Sequence, residues 1–104
     1  MAERRREDDG GVKTAPTTRL DKPKMYKVIF HNDNYTSMEF VVWALQEIFK
    51  QTPAGATRVM LHIHKTGIGV AGVYTHEVAE TKLTKTMDLA KEYGHPLQLT
   101  MEPE

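Results

Sequence analysis

Three short segments alternate apolar and polar residues, and three longer ones repeat apolar residues at helical spacing. In chain order they read strand, helix, helix, strand, helix, strand, which points to a small α+β domain. Packing the three helices on one face of a three-stranded sheet is the economical way to bury their apolar sides.

The first strand covers Met25 to Phe30, where Tyr26, Val28 and Phe30 alternate with Lys27 and Ile29, although Ile29 blurs the polar side. A polar turn, Asn32-Asp33-Asn34-Tyr35, then precedes a helix from about Ser37 to Lys50. Thr36 and Glu39 stand at capping-box spacing, which predicts Thr36 as the cap. Met38, Val41, Val42, Leu45, Ile48 and Phe49 form the apolar stripe of this helix. Trp43 falls opposite that stripe, so its indole is expected to be exposed or at an edge.

Thr52-Pro53 starts a second helix, with Thr52 as cap and Pro53 at the first helical position. Ala56, Val59, Met60 and Ile63 are its expected buried stripe, and Gly67 ends it. His64 follows Met60 by four residues, so the two share a face. Ile68 to Tyr74 is the second strand; Gly69 and Gly72 within it suggest a bulge or close backbone approach. Thr75 caps a third helix of about His76 to Tyr93, with Ala79, Leu83, Met87 and Ala90 facing inward and Gly94 as its stop. Pro96 prevents continuation, and Leu97, Leu99 and Met101 alternate with Gln98 and Thr100 as the third strand.

The 104 residues suffice for one domain. Residues 1–24 hold seven Lys/Arg, five Asp/Glu, two Pro, two adjacent Gly and no aromatic, and are expected to form a flexible extension. The folded domain is therefore expected over residues 25–104, a size at which about 60% of the chain's surface is buried. The net charge is zero, and Arg4-Arg5-Arg6 is cancelled locally by Glu7-Asp8-Asp9, so nothing suggests nucleic-acid binding. Cysteine is absent, which removes disulfides and thiol chemistry. Without a long apolar run or a signal-peptide pattern, a soluble cytoplasmic protein with no membrane role is expected.

The turn holds Asn32 and Asp33 just outside a helix N-terminus, beside an apolar face headed by Met38. A carbonyl and a carboxylate next to an apolar surface suit a small cation with an apolar neighbour. A free protein N-terminus followed by a large hydrophobic side chain is one such ligand. Met38 and Val41 on the first helix and Met60 and His64 on the second can outline a groove there, although methionine is also a common core filler. Asn32-Asp33-Asn34 is equally readable as a plain turn. His62 and His64 point about 200° apart on a helix and do not share a metal ion easily. The sequence has no His-Glu-x-x-His motif, phosphate loop or nucleophile elbow, so no cofactor is expected and an enzyme is disfavoured.

Several blocks resemble the ClpS family, adaptors that recognise N-terminal degradation signals for the ClpAP protease. They are Met25-Tyr26-Lys27-Val28, the turn with its helix start, Met60-Leu61-His62-Ile63-His64, Gly72-Val73-Tyr74-Thr75, Glu77-Val78-Ala79-Glu80-Thr81-Lys82 and His95-Pro96-Leu97. Together they extend over about 77 positions, from Met25 to Met101. The resemblance implies a β-α-α-β-α-β fold with an antiparallel sheet, similar to the C-terminal domain of the ribosomal stalk protein. It implies a pocket of Thr36, Met38, Val41, Met60, Ile63 and Leu97 for a substrate's first side chain, with Asn32, Asp33 and His64 at the mouth for its α-amino group. Met38 would be the gate against β-branched first residues. Glu77 and Lys82 match positions that contact the N-terminal domain of the ClpA unfoldase, and the N-terminal extension would engage it too. Two residues depart from the family pattern: Asn34 stands where a second Asp is usual, and Ser37 where Pro is usual.

The function expected is thus a non-enzymatic, monomeric adaptor. It would bind N-terminal Phe, Leu, Trp or Tyr and deliver substrates to a ClpA-type unfoldase. The alternatives are a stalk-like interaction domain without N-terminal recognition, and a small hydrolase using Asp33 and His64 with Thr36 or Ser37 as nucleophile.

Overall fold

The computed structural model describes residues 22–104. The extension expected over residues 1–24 therefore lies outside the described residues as far as Asp21. Six elements follow in order: β1 Met25–His31, α1 Met38–Glu47, α2 Pro53–Thr66, β2 Ile68–Thr75, α3 His76–Glu92 and β3 Gln98–Pro103. The sheet is antiparallel with β1 in the centre, in the order β2-β1-β3. The α+β architecture with three helices over a three-stranded sheet is the expected one.

Central β1 sets the core. Val28 and Phe30 are fully buried on the helical side, and Phe30 meets Phe49 edge-on with ring centroids 5.5 Å apart. Helix α3 packs across all three strands, α2 packs on β2, and α1 packs on α2. Ile29 points to the other face and is also buried, flanked by its ladder partners Val70 and Thr100. That explains why the polar side of β1 is blurred.

Both glycine expectations in β2 hold. The pairing of β1 with β2 slips between Val28–Gly72 and Ile29–Val70, which leaves Ala71 bulged. A Cβ on Gly69 would lie 2.5 Å from Ile63 Cγ1, so α2 rests almost directly on the strand backbone. Thr52 Oγ1 accepts from Gly55 N–H at 3.0 Å and Gly67 closes α2 in the left-handed region, φ 96°, as their residue types demand.

Helix α1 departs from expectation at both ends and around its axis. The N-cap is Ser37, whose Oγ accepts from Phe40 N–H at 3.1 Å, and the capping box of Thr36 and Glu39 does not form. The reason is competition: Asp33 already takes the Thr36 N–H, as described below. The buried stripe is Phe40, Val41, Ala44 and Leu45, continued by Ile48 and Phe49 beyond the helix. Met38, expected in that stripe, is 48% exposed, and Val42 is only half-buried. Trp43 is 44% exposed, as its position opposite the stripe requires. Helix α3 starts after Thr75, but no side-chain capping bond forms there. Its inner line includes Thr86, fully buried, which donates its hydroxyl hydrogen to Lys82 O at 2.7 Å. That local bond removes the penalty of burying a hydroxyl.

Candidate functional site

The turn between β1 and α1 is held by short side chains. Asn32 N–H donates to Gly67 O at 2.8 Å, tying the end of β1 to the end of α2. Asp33 Oδ1 accepts from the N–H groups of Tyr35 and Thr36, both at 2.7 Å. Its Oδ2 accepts from the Thr36 hydroxyl, also at 2.7 Å. An Asp that bonds backbone two and three residues ahead locks a turn more tightly than a Thr can. Burial of Asp33 works against its charge. That effect is outweighed by the Thr36 hydroxyl, the two backbone N–H groups and the nearby His95, which together hold the carboxyl below its ordinary 3.8. The carboxylate is therefore charged at neutral pH, in a fixed position.

Behind the turn lies a recess whose enclosed volume is small, about 30 Å³. All nine residues expected at the pocket and its mouth line it: Thr36, Met38, Val41, Met60, Ile63 and Leu97, with Asn32, Asp33 and His64. Val41, Ile63 and Leu97 are buried and form apolar walls, while Met60 is half-buried. Met38 is exposed, and Asn32 and His64 are exposed near the polar side. The Asn32–Gly67 bond explains the convergence, because Gly67 lies one turn beyond His64. The chemistry available is a hydrogen-bonding, negatively charged rim around an apolar hole.

Three further residues belong to this neighbourhood. Phe30 and His31 also line the recess. Phe30 was readable only as a strand residue and His31 lay just past the expected strand end, since nothing in an alternating pattern marks which strand end borders a hole. His31 Nε2 lies 2.7 Å from Thr100 Oγ1, which ties its ring to β3. His95 acts on Asp33 through charge, and it stands directly before Pro96 and Leu97 in a block that the sequence had already singled out.

Nucleophilic chemistry has no machinery here. The Thr36 hydroxyl donates to Asp33 and Ser37 Oγ caps α1, so neither is paired with a histidine base. Among the described residues no three His, Cys, Asp or Glu side chains group as metal ligands. Among them, too, no helix is long and apolar enough to cross a membrane.

Glu77 and Lys82 line a separate surface recess with Val78 and Thr81. Glu77 is exposed at the α3 N-terminus, where its charge is favoured. Lys82 has a structural duty as well. Its ammonium donates to Ile48 O at 2.7 Å and stands 5.3 Å from the Tyr74 ring centroid, closing the end of α1.

Residues 21–100 match the family model described as ATP-dependent Clp protease adaptor protein ClpS. The chain belongs to the ClpS family. It is 53% identical over 98 residues to the ATP-dependent Clp protease adapter protein ClpS of Desulfatibacillum aliphaticivorans, covering 94% of each chain. The ClpS of Phenylobacterium zucineum is 50% identical over 109 residues and is covered completely, as is this chain. Among solved structures, Agrobacterium tumefaciens ClpS2 bound to L-phenylalaninamide superimposes with a TM-score of 0.76 at 43% identity, over 80% of this chain and 100% of that one. ClpS proteins are adaptors of the Clp protease and not enzymes.

Proposed function

We propose that this adaptor captures proteins by a free N-terminal Phe, Leu, Trp or Tyr and delivers them to a ClpA-type unfoldase of the ClpAP protease. The observation that carries the reading is the joining of Asn32, Asp33 and His64 with the apolar walls of Val41, Met60, Ile63 and Leu97 around one recess. A phenylalanine amide, the ligand of Agrobacterium ClpS2, offers the two matching groups: an α-ammonium and a large apolar side chain.

The two parts act together. Full burial of such a side chain contributes roughly 1.5–3 kcal/mol. Hydrogen bonds to a charged group add about 1.5–3 kcal/mol each way. Asp33 supplies the negative charge, Asn32 accepts through its amide oxygen, and neutral His64 accepts through one ring nitrogen. Thr36 spends its hydroxyl hydrogen on Asp33, so its oxygen faces incoming donors only as an acceptor. Met38, exposed at the rim, is the gate that a branched Cβ would strike. Glu77 and Lys82 provide the unfoldase contact, and residues 1–24 the extension that engages it during handover. The adaptor works as a cytoplasmic monomer.

Peptide binding tests the capture step. A peptide starting with Phe or Leu should bind and its N-acetylated form should not; equal affinity for both removes the ammonium site. Delivery is tested with purified ClpAP and a substrate starting with Phe. Degradation that does not accelerate on adding this protein would reject the handover.

A further inference from the structure

A second apolar groove opens beside the recess and shares its walls. Met38 and Met60 line both. The remaining lining comes from α1: Glu39, Val42, Trp43 and Gln46. Met38, Val42 and Gln46 are four residues apart, so the groove runs along α1 away from the recess. Neither the core nor the first-residue pocket accounts for the exposure of Trp43 or for the apolar line below it. The indole is held in place by Phe40, with ring centroids 5.8 Å apart.

We propose that this groove holds the third residue of the captured protein, and that it favours an apolar side chain there. The inference rests on the reading of the recess as the first-residue pocket. In an extended chain, alternate side chains face the same way and residues two apart advance about 6.7 Å. With residue one seated in the recess, residue two faces solvent and residue three returns to the surface. Along a helix, the step from Met38 to Val42 is about 6 Å. The third side chain therefore reaches Val42 and Trp43 just past the methionine ridge, whereas the second faces away from them. The apolar lining selects Leu, Ile or Phe at that place, and exposed Glu39 at the edge disfavours an acid.

The test uses the full chain and free-amine peptides labelled at their C-terminal ends, Phe-Ala-Leu, Phe-Ala-Gly and Phe-Leu-Gly followed by one common tail. Fluorescence anisotropy should show Phe-Ala-Leu binding about fivefold tighter than Phe-Ala-Gly, from partial burial of one leucine. Phe-Leu-Gly should match Phe-Ala-Gly. In Trp43→Asp the ratio between the Leu and Gly peptides should fall to about one. A gain located at residue two, no gain at residue three, or a gain that survives Trp43→Asp overturns the assignment. So does a dimer in sedimentation that Trp43→Asp dissociates, because the groove would then belong to a second copy. If no Phe peptide binds at all, the first-residue pocket itself fails and takes the groove with it; binding of Phe-Ala-Gly without a third-residue effect refutes the groove alone.

Discussion

Asp33→Asn separates the two jobs that the geometry assigns to one carboxylate. An asparagine oxygen can still accept the N–H groups of Tyr35 and Thr36 that Oδ1 holds at 2.7 Å. Its amide nitrogen can only donate where Oδ2 accepted, so the Thr36 hydroxyl must turn to accept, and a charge-assisted bond at a half-buried site becomes a weaker neutral one. That predicts a destabilisation of about 0.5–1.5 kcal/mol. The charge, by contrast, disappears entirely. If it faces the substrate's α-ammonium, loss of a charge-assisted contact worth about 1.5–3 kcal/mol weakens binding by roughly 10- to 150-fold. Anisotropy with a Phe-starting peptide and thermal denaturation of the same sample read the two effects separately. The pH dependence has a definite sign. The folded-state pKa of Asp33 lies below 3.8, so its stabilisation is complete above that value and is lost as pH falls through the depressed folded value. Asp33→Asn should therefore flatten the acid limb of the stability profile below about pH 4. Unchanged peptide affinity in a folded Asp33→Asn protein would refute the charge argument.

Other substitutions probe the walls and the frame. Met38→Ala should admit peptides starting with Val or Ile while keeping Phe, and an unchanged preference in a peptide array would reject Met38 as the gate. Gly69→Ala should push Ile63 out of place, because the new Cβ would lie 2.5 Å from Cγ1; a cost of about 1–3 kcal/mol and weaker Phe binding are expected, checked by denaturation and anisotropy. Lys50→Gly should stabilise by about 0.5–1 kcal/mol, since Lys50 has φ 59° in the left-handed region, and an unchanged or lower Tm would contradict this. Lys82→Met should lower Tm as well as unfoldase affinity, because Nζ bonds Ile48 O at 2.7 Å; loss of docking without any loss of stability would refute its structural duty.

Much of the fold was legible because its signals are local. Thr52-Pro53 and Gly67 bracket α2 through backbone chemistry that neighbours cannot override. Gly72 marked the bulge opposite Val28 for the same reason. The start of α1 was harder, because Asp33, Thr36 and Ser37 are all plausible partners for the same few N–H groups. Geometry gives Thr36 to Asp33 and the cap to Ser37. In the stripe of α1, Val41, Leu45, Ile48 and Phe49 are buried as expected, while Phe40 and Ala44 take the places expected for Met38 and Val42 because both pairs have the same four-residue spacing. At the site, the residues quoted from the turn, α1, α2 and Leu97 do come together. Phe30 and His31 were missed because nothing local marks which end of β1 borders a recess, and His95 because it nears Asp33 only through long-range packing.

Titrating the isotope-labelled protein with L-phenylalaninamide, and following backbone amide resonances by NMR, tests the central assignment most directly. Saturable shifts should concentrate at Asn32, Asp33, Thr36, Val41, Ile63, His64 and Leu97, while the outer face of α3 stays silent. N-Acetylphenylalaninamide should leave the spectrum unmoved. Shifts centred elsewhere, or equal shifts with the acetylated ligand, would contradict the account.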